Sequence, residues 1–172
     1  MKDSSDIREP VVAYIAIGSN LGDSRALVQK AFVRLQELSP TPLRKSSLWC
    51  SSPVDCPPGS ADFINAMAAI TPLAGETPES LLAKLQAIEV EFGRRPKQVL
   101  NESRPIDLDL IAFGDEVRVT PELTLPHPRA AQRRFVLSPL SELSPHFILP
   151  GQKKTVVELL GALVTDERIE RC

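Results

Sequence analysis

The chain reads as an α+β domain with the element order β-α-β-β-α-β and a helical extension after it. Three observations carry that reading. The apolar runs Val11–Ile17, Phe63–Thr71 and Ile106–Phe113 have strand length and end at or near turn-forming residues. The segments that follow the first two carry helix-start signals and helical spacing. The 172 residues suffice for one domain with a substantial core, and no repeat, low-complexity tract or linker marks a second.

Val11 to Ile17 reads as a buried strand closed by the turn Gly18-Ser19-Asn20. Asp23 or Ser24 caps a helix to about Leu38, with Leu27, Ala31, Val33, Leu35 and Leu38 partly at helical spacing. Leu43 to Trp49 is the second strand. The proline-rich stretch Ser51 to Ala61 is a loop of a length that is usually functional or disordered. In the third strand Phe63, Asn65, Met67 and Ala69 share one face, and Ile64, Ala66, Ala68 and Ile70 the other. Thr77 as N-cap and Pro78 at the first turn start the second helix. Its stripe is Leu81, Leu82, Leu85, Ile88 and Phe92, and Gly93 suits its end. A loop from Arg94 to Pro105 leads to the fourth strand, and Gly114-Asp115-Glu116 turns into a short strand around Val117 to Val119. The extension holds Leu125-Pro126-His127-Pro128, a helix from Ala130 to about Leu137 and a last helix near Thr155 to Leu163. The segment after Gly151 carries no legible motif. This order is the ferredoxin-like, split-βαβ pattern. Residues 1–10 are polar and charged and are expected to be a flexible tail, with residues 11–172 forming the single domain.

Composition narrows the functions. A net charge of −2 argues against a dedicated nucleic-acid binder. No stretch is apolar enough to cross a membrane, and the N-terminus lacks a secretory apolar core. Cys50, Cys56 and Cys172 are odd in number and lack zinc spacing, so reduced thiols in the cytoplasm are expected. The two histidines, His127 and His146, do not make a structural zinc site.

The chemistry concentrates at Asp107 and Asp109, inside the run Ile106-Asp107-Leu108-Asp109-Leu110-Ile111-Ala112-Phe113. Period-two alternation puts both carboxylates on one face, roughly 7 Å apart. On an ordinary edge strand the same tripeptide is a solvated face. On a largely buried strand, like charges call for a neutralising cation, and Mg²⁺ favours carboxylate oxygens together with phosphates. Arg94, Arg95, Lys97 and Arg104 lie just upstream, which suits a polyphosphate.

From Val11 to about Leu140 the chain resembles the 6-hydroxymethyl-7,8-dihydropterin pyrophosphokinase family of folate biosynthesis. The resemblance rests on five blocks in order: Ala13-Tyr14-Ile15-Ala16-Ile17-Gly18-Ser19-Asn20-Leu21; Ser51-Ser52-Pro53-Val54 with Asp62-Phe63-Ile64-Asn65-Ala66; Glu89 with Gly93-Arg94; Arg104-Pro105-Ile106-Asp107-Leu108-Asp109-Leu110; and Pro126-His127-Pro128 with Arg133 and Phe135. It implies a ferredoxin-like sandwich that transfers pyrophosphate from ATP to the pterin hydroxymethyl group, giving AMP, with two Mg²⁺ ions. It further implies Asp107 and Asp109 as metal ligands, and Arg94 and Arg104 on the phosphates beside them as the catalytic set. Gln86, Glu89, His127 and Arg133 fall at ATP-contacting positions. Gly18, Ser51, Pro53, Val54, Phe63, Asn65 and Phe135 fall at pterin positions. Phe63 and Phe135 also read as core, Gly18 as a plain turn glycine, and Gln86 as a solvated helix residue.

The chain departs from the family in the loop before the Asp strand. Leu100 and Asn101 stand where many members carry an arginine and a tryptophan that closes over the pterin. The partners implied are small molecules, with no nucleic acid and no membrane, and the protein is expected to be a monomer. Two competing readings keep part of these features: a nucleotidyl transferase, which would release pyrophosphate rather than AMP, and a non-catalytic ligand- or RNA-binding module. The 5% aromatic content argues against the RNA module.

Overall fold

A computed structural model describes residues 9–172. The expected N-terminal tail lies outside the described residues except for Glu9 and Pro10, which are exposed. The described residues combine four α-helices with an antiparallel sheet. The elements are β1 (Ala13–Ser19), α1 (Ser24–Gln36), β2 (Arg44–Lys45), β3 (Trp49–Ser51), β4 (Phe63–Ile70), α2 (Pro78–Glu91), β5 (Asp107–Phe113), β6 (Arg118–Val119), β7 (Thr124–Leu125), α3 (Arg134–Leu143), α4 (Val156–Ala162) and β8 (Ile169–Arg171). A single 3₁₀ turn, Ala130–Gln132, precedes α3. The main sheet runs β5-β1-β4-β3-β8, with β2 also on β4, and each of these pairs is antiparallel.

The two faces of β4 are those its alternation predicts. Ala66, Ala68 and Ile70 pack with Ile15, Ile17, Leu108 and Leu110 under α1 and α2. Met67 and Ala69 pack with Tyr14, Ile111 and α3 on the opposite face. Thr77 caps α2 through a reciprocal pair with Ser80, and Pro78 opens it. Asp23, of the two candidates, caps α1 by accepting from the Ala26 N–H at 3.2 Å.

Several expectations are corrected. β1 continues through Gly18 and Ser19, because both still pair with β4. The stripe of α1 is Val28, Ala31, Phe32 and Leu35, whereas Val33 is 65% exposed. The second strand is split into β2 and β3. The Ser46 hydroxyl there takes the Met67 N–H at 2.8 Å, so a side chain replaces a backbone partner and interrupts the ladder. The strand around Val117 to Val119 shrinks to β6 and pairs only with β7, outside the main sheet. The helix expected from Ala130 begins as a 3₁₀ turn, and α3 proper runs on to Leu143. Cys50 and Cys172 form a disulfide, against the expectation of three reduced thiols; Cys56 is free. No helix among the described residues is long and apolar enough to cross a membrane.

Candidate active site

The α3 face of the sheet is only partly covered. Where the cover ends, a cavity of about 400 Å³ opens over the strand ends of β1, β4 and β5. Its floor follows from register. Gly18 pairs with Asn65 on one side and with Asp107 on the other, and Ala16 pairs with Asp109. Cross-strand partners project to the same face. The small residues Ala16 and Gly18 therefore leave open space between an amide and two carboxylates. A Cβ added at Gly18 would stand 3.6 Å from Asn65 Oδ1 and 3.7 Å from Phe63 Cδ1, an ordinary contact. The glycine is thus not forced by its neighbours; it matters for the room it leaves in the cavity.

Asn65 is buried, and its Nδ2 donates to Ser51 Oγ at 2.6 Å. That bond orients the amide from β3. Asp107 is held by two guanidinium groups: Arg94 donates to Oδ1 at 2.7 Å and Arg104 to Oδ2 at 3.1 Å. Glu89, buried on α2, also accepts from Arg94 and takes the Leu108 N–H at 3.1 Å. It therefore pins both the arginine and β5. Burial raises its carboxyl to about 7, helped by the charge of Asp107. Burial, and then the charge of Asp107, likewise pushes Asp109 up to about 7, against the pull of Arg133, Arg94 and Arg104. A raised carboxyl beside a second carboxylate is a site that a cation would satisfy. The donors there are all hard oxygens, which fits Mg²⁺. No group of three or more potential metal-binding side chains occurs among the described residues, so any cation here would need further ligands from substrate or water.

The cavity gathers Gly18, Ser51, Val54, Phe63, Asn65, Phe135, Arg104, Asp107, Asp109 and Arg133 of the residues singled out in the sequence. Arg94 lines a second cavity of about 440 Å³, with Arg95, Lys97 and Arg104. Arg104 lines both cavities. Pro53 and His127 line neither. His127 instead donates its backbone N–H to Ile111 O at 2.8 Å, and its Nδ1 accepts from Arg129 N at 3.2 Å. Burial, then the charge of Arg133, lowers its imidazole to about 4, so the ring is neutral at physiological pH. Gln86 is exposed on α2 and also lines neither cavity, so it does not share the buried setting of Glu89.

Sequence reasoning missed three contributors, Asn20, Thr165 and Glu167, and singled out a fourth, Asn101, only as a departure from the family. Asn20, assigned to a turn, ties three segments together: its Oδ1 accepts from Arg104 N at 2.9 Å and its Nδ2 donates to Ala61 O and Ser103 Oγ, each at 3.3 Å. Asn101 lines the cavity and donates to Asp55 O at 2.8 Å, joining the loops 52–62 and 94–106. Leu100 beside it is 78% exposed. The position at which the resemblance implies a tryptophan thus makes a polar link between loops. Thr165 and Glu167 also line the cavity, from the segment that carried no motif.

Residues 14–145 match the family described as 7,8-dihydro-6-hydroxymethylpterin-pyrophosphokinase (HPPK). Among similar curated proteins is the 2-amino-4-hydroxy-6-hydroxymethyldihydropteridine pyrophosphokinase of Pseudomonas aeruginosa, 39% identical over 87% of this chain and 90% of that protein. The Haemophilus influenzae protein of the same name is 37% identical over 93% of this chain and 98% of its own length. Among solved structures, wild-type Plasmodium falciparum HPPK-DHPS with pterin and p-hydroxybenzoate superimposes with a TM-score of 0.67 at 14% identity. The likeness covers 91% of this chain and 44% of that longer one, and it is a likeness of fold.

Proposed function

The chain belongs to the 7,8-dihydro-6-hydroxymethylpterin-pyrophosphokinase family, and from that premise we propose how its site works. It is an enzyme that transfers pyrophosphate to hydroxymethyldihydropterin in folate biosynthesis. ATP is the donor and AMP the second product. Asp107 and Asp109 would hold Mg²⁺, which would screen the triphosphate and polarise its oxygens. The sheet order β5-β1-β4-β3 with all neighbours antiparallel supports the ferredoxin-like reading of the core.

The observation that carries the mechanism is the register around Gly18. One small residue separates Asn65, a reader of ring donors and acceptors, from Asp107, a holder of charge. A pterin bound at Asn65 and Ser51, with its ring between Phe63 and Phe135, has its hydroxymethyl arm directed toward the Asp pair. The hydroxymethyl oxygen then attacks the β-phosphorus. The bond from that phosphorus to the oxygen bridging the α-phosphate breaks, AMP leaves, and the hydroxyl proton is released. Arg94 and Arg104 fork hydrogen bonds to the phosphates once substrate competes with Asp107 for them. The basic second cavity, which shares Arg104 with the first, accommodates part of the nucleotide. Arg133 supplies further positive charge, and Glu89 and His127 hold their neighbours in place. Catalysis here is positioning and electrostatics.

The test is incubation with ATP, Mg²⁺ and 6-hydroxymethyl-7,8-dihydropterin, with the nucleotides resolved. AMP should appear in step with pterin pyrophosphate and only with metal present, and Asp107→Ala should abolish it. Release of inorganic pyrophosphate without AMP would instead identify a nucleotidyl transferase.

A further inference from the structure

The last residues of the chain lie beyond the family match, which ends at residue 145. They nevertheless tie together two walls of the cavity. On one side β8 pairs with β3, Ser52 N donates to Arg168 O at 3.0 Å, and the Cys50–Cys172 disulfide fixes the chain end beside Ser51. On the other side Glu167 Oε2 accepts the backbone N–H of Arg134 at 2.9 Å, and the Arg134 guanidinium donates to Leu163 O at 3.3 Å. Between these anchors, Thr165 and Glu167 line the cavity.

Arg134 is the first residue of α3, and the flanking Arg133 and Phe135 both line the cavity. Their side chains meet, with the guanidinium 5.3 Å from the ring centre. A helix start presents N–H groups without partners. The residue at the N-cap of α3 supplies no side-chain bond. Glu167, distant in sequence, supplies one in its place, and a carboxylate suits the positive end of a helix. Its other oxygen, Oε1, is buried without a partner. That oxygen costs stability, and such local costs gather where a residue serves a site rather than the packing.

We propose that Glu167 is a positioning residue: from the terminal segment it fixes the start of α3 and so sets Arg133 and Phe135 at the substrate cavity. This rests on the reading that those two residues meet ATP and the pterin. The test is steady-state kinetics on the full chain. Glu167→Ala should raise KM for the pterin and for ATP about tenfold, the size of one lost charge-assisted hydrogen bond, with kcat within about twofold. Glu167→Gln keeps an oxygen that accepts from Arg134 N, so it should return both KM values to within about threefold of wild type. Unchanged KM values in Glu167→Ala overturn the proposal, and so does a Glu167→Gln variant as impaired as the alanine. Should Glu167→Ala not fold, Cys172→Ser decides: freeing the segment's end should raise the pterin KM at constant kcat, and an unchanged KM overturns the proposal. A wild type that makes no AMP overturns the functional reading and this inference with it. An active wild type with variants indistinguishable from it overturns the inference alone.

Discussion

Asp109 carries its proton under conditions where a surface aspartate has lost it. Its folded carboxyl lies near 7 through burial and the charge of Asp107, against about 3.9 in an unfolded chain. Between those values the folded state binds more protons than the unfolded one, so without a cation this group lowers stability as pH rises from about 4 to 7. Metal-free Asp109→Asn should therefore melt higher than wild type at pH 8, and should lose the rise in Tm that Mg²⁺ gives the wild type. Thermal unfolding with and without Mg²⁺ measures both. His127 has the opposite sign. Its imidazole is lowered to about 4 by burial and Arg133, so the unfolded state binds more protons between about 4 and 6.5. Stability falls as pH drops through that window, and His127→Gln should flatten this limb in urea titrations across pH. The Asp pair was legible in sequence because alternation on a strand is rigid. The contacts that the His127 backbone and the Glu89 carboxylate make were not, because their partners are the distant backbone groups of Ile111 and Leu108.

Elements were legible where the signal was local. Thr77-Pro78 announced α2, and the structure adds the reciprocal Ser80 bond. Thr77→Ala should cost about 1 kcal/mol, seen as a lower Tm with both KM values unchanged, since the cap lies away from the cavity. The second strand was misread because one hydroxyl, that of Ser46, breaks a ladder that composition would continue. The two loops beside the site were legible as loops but not as partners. Their link runs from Asn101 to Asp55, both in the left-handed region with φ of 53° and 51°. Asparagine and aspartate tolerate that conformation better than most side chains. Asn101→Ala should raise the pterin KM a few-fold, the effect of one exposed hydrogen bond of about 1 kcal/mol. It should also hasten protease cleavage within residues 94–106; identical cleavage kinetics would show that the link does not restrain the loops.

For the whole molecule, sequence order sufficed for the three long strands β1, β4 and β5, whose apolar runs have strand length, but not for the full sheet, in which the expected second strand is split into β2 and β3. It did not suffice for the terminus. β8 is three residues long and mostly polar, and only its pairing with β3 gives it a place. That pairing has a consequence for solubility. A sheet invites other chains at its open margins, where backbone groups wait for partners. One margin of this sheet, β5, is partly occupied by the His127 N–H on Ile111 O. The other would be Trp49–Ser51, and β8 covers it with a short strip carrying the exposed charges of Glu170 and Arg171. Removing residues 169–172 should uncover that margin, and light scattering of the shortened protein should register self-association at concentrations where the intact chain stays dispersed.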